Sequence, residues 1–139
     1  MLIDKFGNDK IISAVGLTVP ANILLIEQCD FFVSMWGAGL AKYRWICNKP
    51  GFVITNHWNL TQRSDLFIYD HPTLIESPSR LYWVDPTLVT DHPEAPRIVT
   101  VNSHAQWSNF SIMEAPVIDA ILRSISKHVD AVAECSIPN

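Results

Sequence analysis

Charge is scarce in this sequence: Asp, Glu, Lys and Arg make up 17% of its 139 residues, the formal net charge is −4, and no Lys/Arg cluster occurs. A nucleic-acid binder needs a basic footprint against the phosphate backbone, so DNA and RNA are excluded as partners. Cysteine is scarce too, with only Cys29, Cys47 and Cys135. An odd number at wide spacing fits neither a disulfide framework nor a zinc site, and the three read as reduced thiols. Long apolar runs are missing, although mean hydropathy is +0.14. None approaches the roughly 20 residues that a spanning helix needs, so no membrane span is expected.

Several signatures are absent as well. The histidines, His57, His71, His92, His104 and His128, form no i, i+4 pair and no His-Glu-x-x-His pattern, and no metal is expected. There is no Gly-x-Ser-x-Gly elbow, no Walker loop and no third glycine of a dinucleotide fingerprint, which removes hydrolase, kinase and dehydrogenase readings. Met1 to Lys10 mixes Asp4, Lys5, Asp9 and Lys10 with few apolar side chains, unlike a signal peptide. A cytoplasmic protein, peripheral to a membrane if it meets one, is expected. The sequons at Asn59 and Asn109 then read as chance matches.

What is present suits one domain with a core, since 48% of the residues are hydrophobic. Ile11 to Val15 is a short, partly β-branched run ending at Gly16, and reads as a buried strand. Thr18 and Pro20 supply a cap and a first-turn proline for a short helix over Ala21 to Gln28. Cys29 to Met35 is apolar and aromatic without alternation, which predicts a central strand covered on both faces. After Gly37-Ala38-Gly39, the residues Leu40, Tyr43 and Cys47 share a helical face until Pro50-Gly51, and Phe52 to Thr55 resumes as a strand. This alternation predicts an α/β fold: a Rossmann-like, mostly parallel sheet with right-handed crossovers and helices on both faces. Prolines concentrate from Pro50 to Pro116 and predict long loops there, with short strands at Leu81 to Val84 and Ile98 to Val101. Ser111-Ile112-Met113-Glu114 has capping-box spacing and leads into an amphipathic helix carrying Val117, Ile118, Ile121, Leu122, Ile125 and Val129.

The glycine turn carries the functional reading. A turn between a buried strand and a helix exposes unpaired N–H groups at the positive end of the helix dipole, a seat for phosphate. Gly37 and Gly39 let a ligand come close, and Lys42 adds a positive charge. On spacing alone a structural corner is the commoner use of such a turn.

Over Leu24 to Lys42, with Trp36-Gly37-Ala38-Gly39-Leu40-Ala41-Lys42 at its end, the chain resembles the signature of family 61 glycosyltransferases. There a strand ends in His-Gly-Ala-Gly-Leu-(Thr/Ala)-Asn, followed by an apolar helix, Pro-Gly and a strand, matched here by Tyr43 to Asn48, Pro50-Gly51 and Phe52 to Asn56. Trp36 stands for the family histidine, Lys42 for its asparagine, and Thr55 and Asn56 for the acidic residue usual after Pro-Gly. The resemblance covers residues 11 to 56. It implies one half of a GT-B fold, the C-terminal half of a two-domain enzyme that meets a separate N-terminal acceptor domain. It also implies a nucleotide-sugar donor as substrate with no cofactor, and transfer to a glycan or glycoconjugate acceptor in polysaccharide biosynthesis.

The expected donor contacts are Trp36, Gly37, Ala38, Gly39, Leu40, Lys42 and, beyond the next strand, His57. Trp36 reads equally as a core or rim aromatic. Trp58 and Trp107, in polar loop contexts, are the indoles placed to stack on sugar. Asp65, Asp70 and Glu76 are available as bases, yet spacing singles out none, so no catalytic residue is named. Two competing readings stand beside the donor-binding one: a non-catalytic, degenerate module that kept the fold, and an unrelated Rossmann-like domain using the turn as a corner.

Overall fold

A run of polar starts and apolar strands produces the first half of the fold. In the computed structural model, residues 12–63, 66–92 and 109–135 are described. Helix α1 (Val19–Glu27) starts before the expected Ala21 but uses the expected cap, with Thr18 Oγ1 accepting the Ala21 N–H at 3.4 Å and Pro20 in the first turn. Its carboxyl end is held by Lys49, whose Nζ donates to the Glu27 carbonyl at 2.7 Å. A cation there meets the negative end of the helix dipole.

Strands β1 (Phe32–Met35), β2 (Gly51–Ile54) and β3 (Leu81–Trp83) form a parallel sheet in the order β1-β2-β3. The register pairs Phe32 with Gly51 and Gly51 with Leu81. Gly51, Phe52 and Val53 of β2 are all buried, so the strand covered on both faces is β2. On one face Val53 packs with Phe32, Leu40 and Tyr69; on the other Phe52 packs with Val84, Val89 and Val117. Burying a side chain of this size stabilises the fold by about 1.5–3 kcal/mol.

The Phe32 ring lies across β2 so closely that a Cβ at Gly51 would come within 2.4 Å of it. Stacking on Tyr43, with centroids 4.7 Å apart, holds that ring in place.

The architecture is therefore mixed α/β around a small parallel sheet, with several departures from expectation. Ile12 to Ala14 forms no strand, Val15 and Gly16 turn, and Ile12 and Val15 are largely exposed. Gly16 takes φ +80°, which turns the chain before any sheet partner is reached. Ile11 lies outside the described residues. Among the described strands β1 is at the sheet edge and not central, and Val33 and Met35 are exposed on it. After the glycine turn the chain winds as a π-helical turn over Lys42–Ile46, with Cys47 N–H bonded to the Lys42 carbonyl at 3.1 Å.

The proline-rich middle is more regular than expected. It holds α2 (His57–Gln62), a 3₁₀ turn over Leu66–Asp70, β3, a second 3₁₀ turn over Pro86–Leu88, and β4 (Val89–Asp91). β4 pairs antiparallel with β5 (Phe110–Ile112), with Thr90 opposite Ser111. The expected strand at Ile98 to Val101 lies outside the described residues.

Helix α3 (Glu114–Cys135) is present, but Ser111 does not cap it. Ser111 belongs to β5 and its hydroxyl meets His92 Nε2, while the first helical bond runs from Val117 N–H to the Met113 carbonyl at 3.0 Å. Glu114 opens the helix, where a carboxylate complements the dipole. The expected apolar face divides: Val117 is buried and Ile121 packs on the same core, whereas Ile118, Leu122 and Val129 are exposed. No helix among the described residues is long and apolar enough to cross a membrane.

Arg44, at the centre of the π-helical turn, is fully buried. Its Nη2 donates to Asp70 Oδ1 at 2.6 Å and to the Ser79 carbonyl at 2.7 Å, its Nε to the Tyr69 carbonyl at 3.3 Å, and its Nη1 to the Lys49 carbonyl. A buried guanidinium without such partners would be strongly unfavourable. Arg44→Met, which leaves Asp70 and three carbonyls without their donor, is expected to lower unfolding free energy by about 2–4 kcal/mol in urea titrations. A change under about 0.5 kcal/mol, the range of an inconsequential surface substitution, would contradict this role.

Candidate phosphate-binding site

Parallel sheets gather ligand-binding loops at the carboxyl ends of their strands. Here the Trp36 N–H bonds to the Ile54 carbonyl at 2.8 Å, so the loops after β1 and β2 leave the sheet side by side. Each offers a short row of backbone amides, and the two rows have opposite fates.

After β2 the amides are taken. His57 N–H donates to Asp91 Oδ1 at 2.7 Å and Trp58 N–H to Asp91 Oδ2 at 2.9 Å, so a carboxylate of the chain itself occupies the mouth of α2. Asn56 Oδ1 accepts the Asn59 N–H at 2.9 Å, and Asn59 Nδ2 donates to Thr55 Oγ1 at 2.9 Å. Thr55, Asn56 and Asn59 are buried, so the residues standing where the resembled family carries an acid form an internal polar knot.

After β1 the amides are open. The N–H groups of Gly37, Ala38 and Gly39 donate to no acceptor among the described residues. The turn closes through Leu40 N–H to the Gly37 carbonyl at 2.9 Å and Ala41 N–H to the Ala38 carbonyl at 3.2 Å. Leu40, fully buried in the core with Val53 and Phe32, anchors it. Ala38 and Gly39 are exposed, and a Cβ built at Gly37 or Gly39 meets nothing within 4 Å. Internal packing therefore does not require glycine at either position, although Gly37 takes φ +158°, which side chains rarely adopt. Among the described residues the space at these Cβ positions is clear, and consecutive N–H groups without partners in a turn can form a concavity suited to an anion.

Two cations border the turn. Lys42 is half-buried and pairs with no acid among the described residues. Arg63, at the end of α2, lies with its guanidinium 4.5 Å from the centre of the Trp36 ring. Trp36 is half-buried, and its Nε1–H is enclosed without an acceptor among the described residues. Tyr69 packs beneath, its hydroxyl donating to the Gly37 carbonyl at 3.2 Å.

The structure thus brings Trp36, Gly37, Ala38, Gly39, Leu40 and Lys42 together, with Leu40 as support. His57 is exposed at the next loop, its amide committed to Asp91, and Trp58 is half-buried there. Trp107 and Asp65 lie outside the described residues. Asp70 pairs with Arg44, and Glu76 is exposed. Local spacing does not mark Arg63 or Tyr69 for this site, because each reaches the turn only through the folded sheet.

Among the described residues, no group of three His, Cys, Asp or Glu could hold a metal ion. Burial, reinforced by a hydrogen bond with Glu27, raises the Cys47 thiol above its usual range and suppresses thiolate reactivity. Asp85 is held below the usual 3.8 by the hydroxyl and the amide of Thr87. Its stabilising effect is therefore present above the unfolded-state value and lost as pH falls through the folded one.

Replacing Asp91 by Ala uncovers two N–H groups of α2 and is expected to cost about 1–3 kcal/mol in unfolding free energy, measured by denaturant titration. An Asp91→Ala protein as stable as the parent would show that the carboxylate is not what closes this helix mouth. Compared with protein families, curated proteins and solved structures, the chain matches none of them.

Proposed function

We propose that this chain is the donor-binding domain of a glycosyltransferase, seating the diphosphate of a nucleotide sugar on the amides of Gly37, Ala38 and Gly39. The observation that carries this reading is the contrast at the sheet end: one row of amides is filled by Asp91, while its neighbour meets no acceptor among the described residues and includes Gly39, which neither packing nor a positive φ requires. Lys42 and Arg63 supply positive charge beside it, and the resemblance to family 61 glycosyltransferases supplies the ligand class. On this reading the parallel sheet is the Rossmann-like core of the C-terminal half of a GT-B enzyme. Fixed amides oriented toward phosphate oxygens stabilise charge without reorganising, which is what departure of a nucleoside diphosphate demands. A separate N-terminal domain would then present the glycan or glycoconjugate acceptor.

A second reading, a module that binds the donor without transferring the sugar, is favoured by one feature. Two carboxylates among the described residues that follow β3 are engaged: Asp85 caps the Pro86–Leu88 turn and Asp91 caps α2. Neither is at liberty to act as a base.

Calorimetric titration with uridine and guanosine diphosphates tests the site. One of them is expected to bind, and Gly39→Asp, which places a carboxylate in the open space, is expected to weaken that binding at least ~10-fold, equivalent to about 1.4 kcal/mol. Circular dichroism should remain unchanged, because a Cβ at Gly39 meets nothing. Absence of heat with both diphosphates, or undiminished binding to Gly39→Asp, would refute the assignment. Binding without sugar transfer when an acceptor domain is supplied would select the second reading.

A further inference from the structure

The π-helical turn that carries Arg44 inward presents the following residues to solvent: Trp45 is 43% exposed and Ile46 56% exposed. Such turns within helices are frequent at functional sites. The Trp45 indole is nevertheless held in place. Its ring stacks on Tyr69 with centroids 5.2 Å apart and planes 26° apart, and its Nε1–H donates to the Ile68 carbonyl at 3.4 Å. Ile68 itself is 43% exposed and extends the apolar surface. The same Tyr69 reaches the glycine turn through its hydroxyl, which donates to the Gly37 carbonyl at 3.2 Å. One tyrosine thus joins an exposed indole to the turn whose amides are open.

We infer that Trp45 is the stacking platform for the base of a nucleoside diphosphate whose phosphates rest on Gly37 to Gly39. The inference rests on the phosphate-site reading above and adds the subsite for the uncharged end of the ligand. With one ring face against Tyr69 and the residue still 43% exposed, the indole keeps surface on which a flat heterocycle can stack. Because the indole is already ordered by two contacts, stacking on it loses little side-chain freedom. Every nucleobase offers a π-face, so this subsite strengthens binding without choosing among bases by itself. The phosphates are held by backbone groups and the base by a side chain, which makes the two halves of recognition separable by substitution.

Calorimetric titrations of the parent chain, Trp45→Ala and Trp45→Phe with uridine diphosphate, guanosine diphosphate and inorganic pyrophosphate test this. Trp45→Ala should weaken the nucleoside diphosphate that the parent binds by roughly five- to 150-fold, the range of one base–aromatic stack. Trp45→Phe should weaken it less, and pyrophosphate should bind all three proteins alike. Unchanged nucleoside diphosphate affinity in Trp45→Ala overturns the stacking role while leaving the phosphate site intact. Parallel loss of pyrophosphate in both variants also overturns it, because Trp45 would then act by supporting the turn. If the parent binds neither pyrophosphate nor a nucleoside diphosphate, the phosphate site fails and the platform fails with it.

Discussion

The guanidinium of Arg44 is the constraint around which one side of this molecule is arranged. It sits wholly out of water, and its donors reach the Tyr69 and Ser79 carbonyls, the Lys49 carbonyl and the Asp70 carboxylate. Those acceptors belong to three segments far apart in sequence: the 3₁₀ turn, the approach to β3 and the approach to β2. Arginine suits this task because its planar fork offers five donors at fixed angles, whereas a lysine would offer a single point charge. Through these bonds the turn carrying Tyr69 is fixed against the glycine turn, and the sheet's second crossover is bound to its first.

That arrangement determines what the carboxyl end of the sheet can do. A fold of this kind generates a row of unbonded amides after each strand that enters a helix. In this chain the row after β2 is closed by the Asp91 carboxylate, which also ties β4 to the sheet. The row after β1 receives no such partner among the described residues, though Leu40 and Tyr69 hold it firmly from below. Rigidity beneath and vacancy above are the two conditions for binding an anion without first ordering a loop.

Much of the local structure is legible in the residues. Thr18 and Pro20 mark α1, the Pro50-Gly51 pair marks the entry to β2, the apolar run from Leu81 marks β3, and the spacing from Val117 marks α3. Each of these signals acts within a few residues of where it is read. The misplacements arise where a distant partner decides. Nothing within Phe32 to Met35 says that β1 lies at the edge, since sheet order depends on Gly51 and Leu81 pairing across long crossovers. β4 and β5 are three residues each and become strands only by meeting one another. The capping-box match at Ser111 was overridden because that serine was already committed to β5. Nothing in the local sequence marks Arg44 as buried, because three of its four acceptors lie on later segments of the chain. Of the candidate site, the glycine turn itself is legible because glycine, strand and helix follow in sequence, whereas Arg63 and Tyr69 join it only in three dimensions.

The phenyl ring of Phe32 lying over Gly51 has one more consequence, for the alignment of the two strands. If β2 slipped by one residue along β1, either Pro50 or Phe52 would have to lie under the ring, and neither fits where a single methyl is already too large. The strands are thus keyed by a missing atom. Alignment of the sheet, and with it the height at which the loops emerge from its end, is selected by exclusion as much as by attraction.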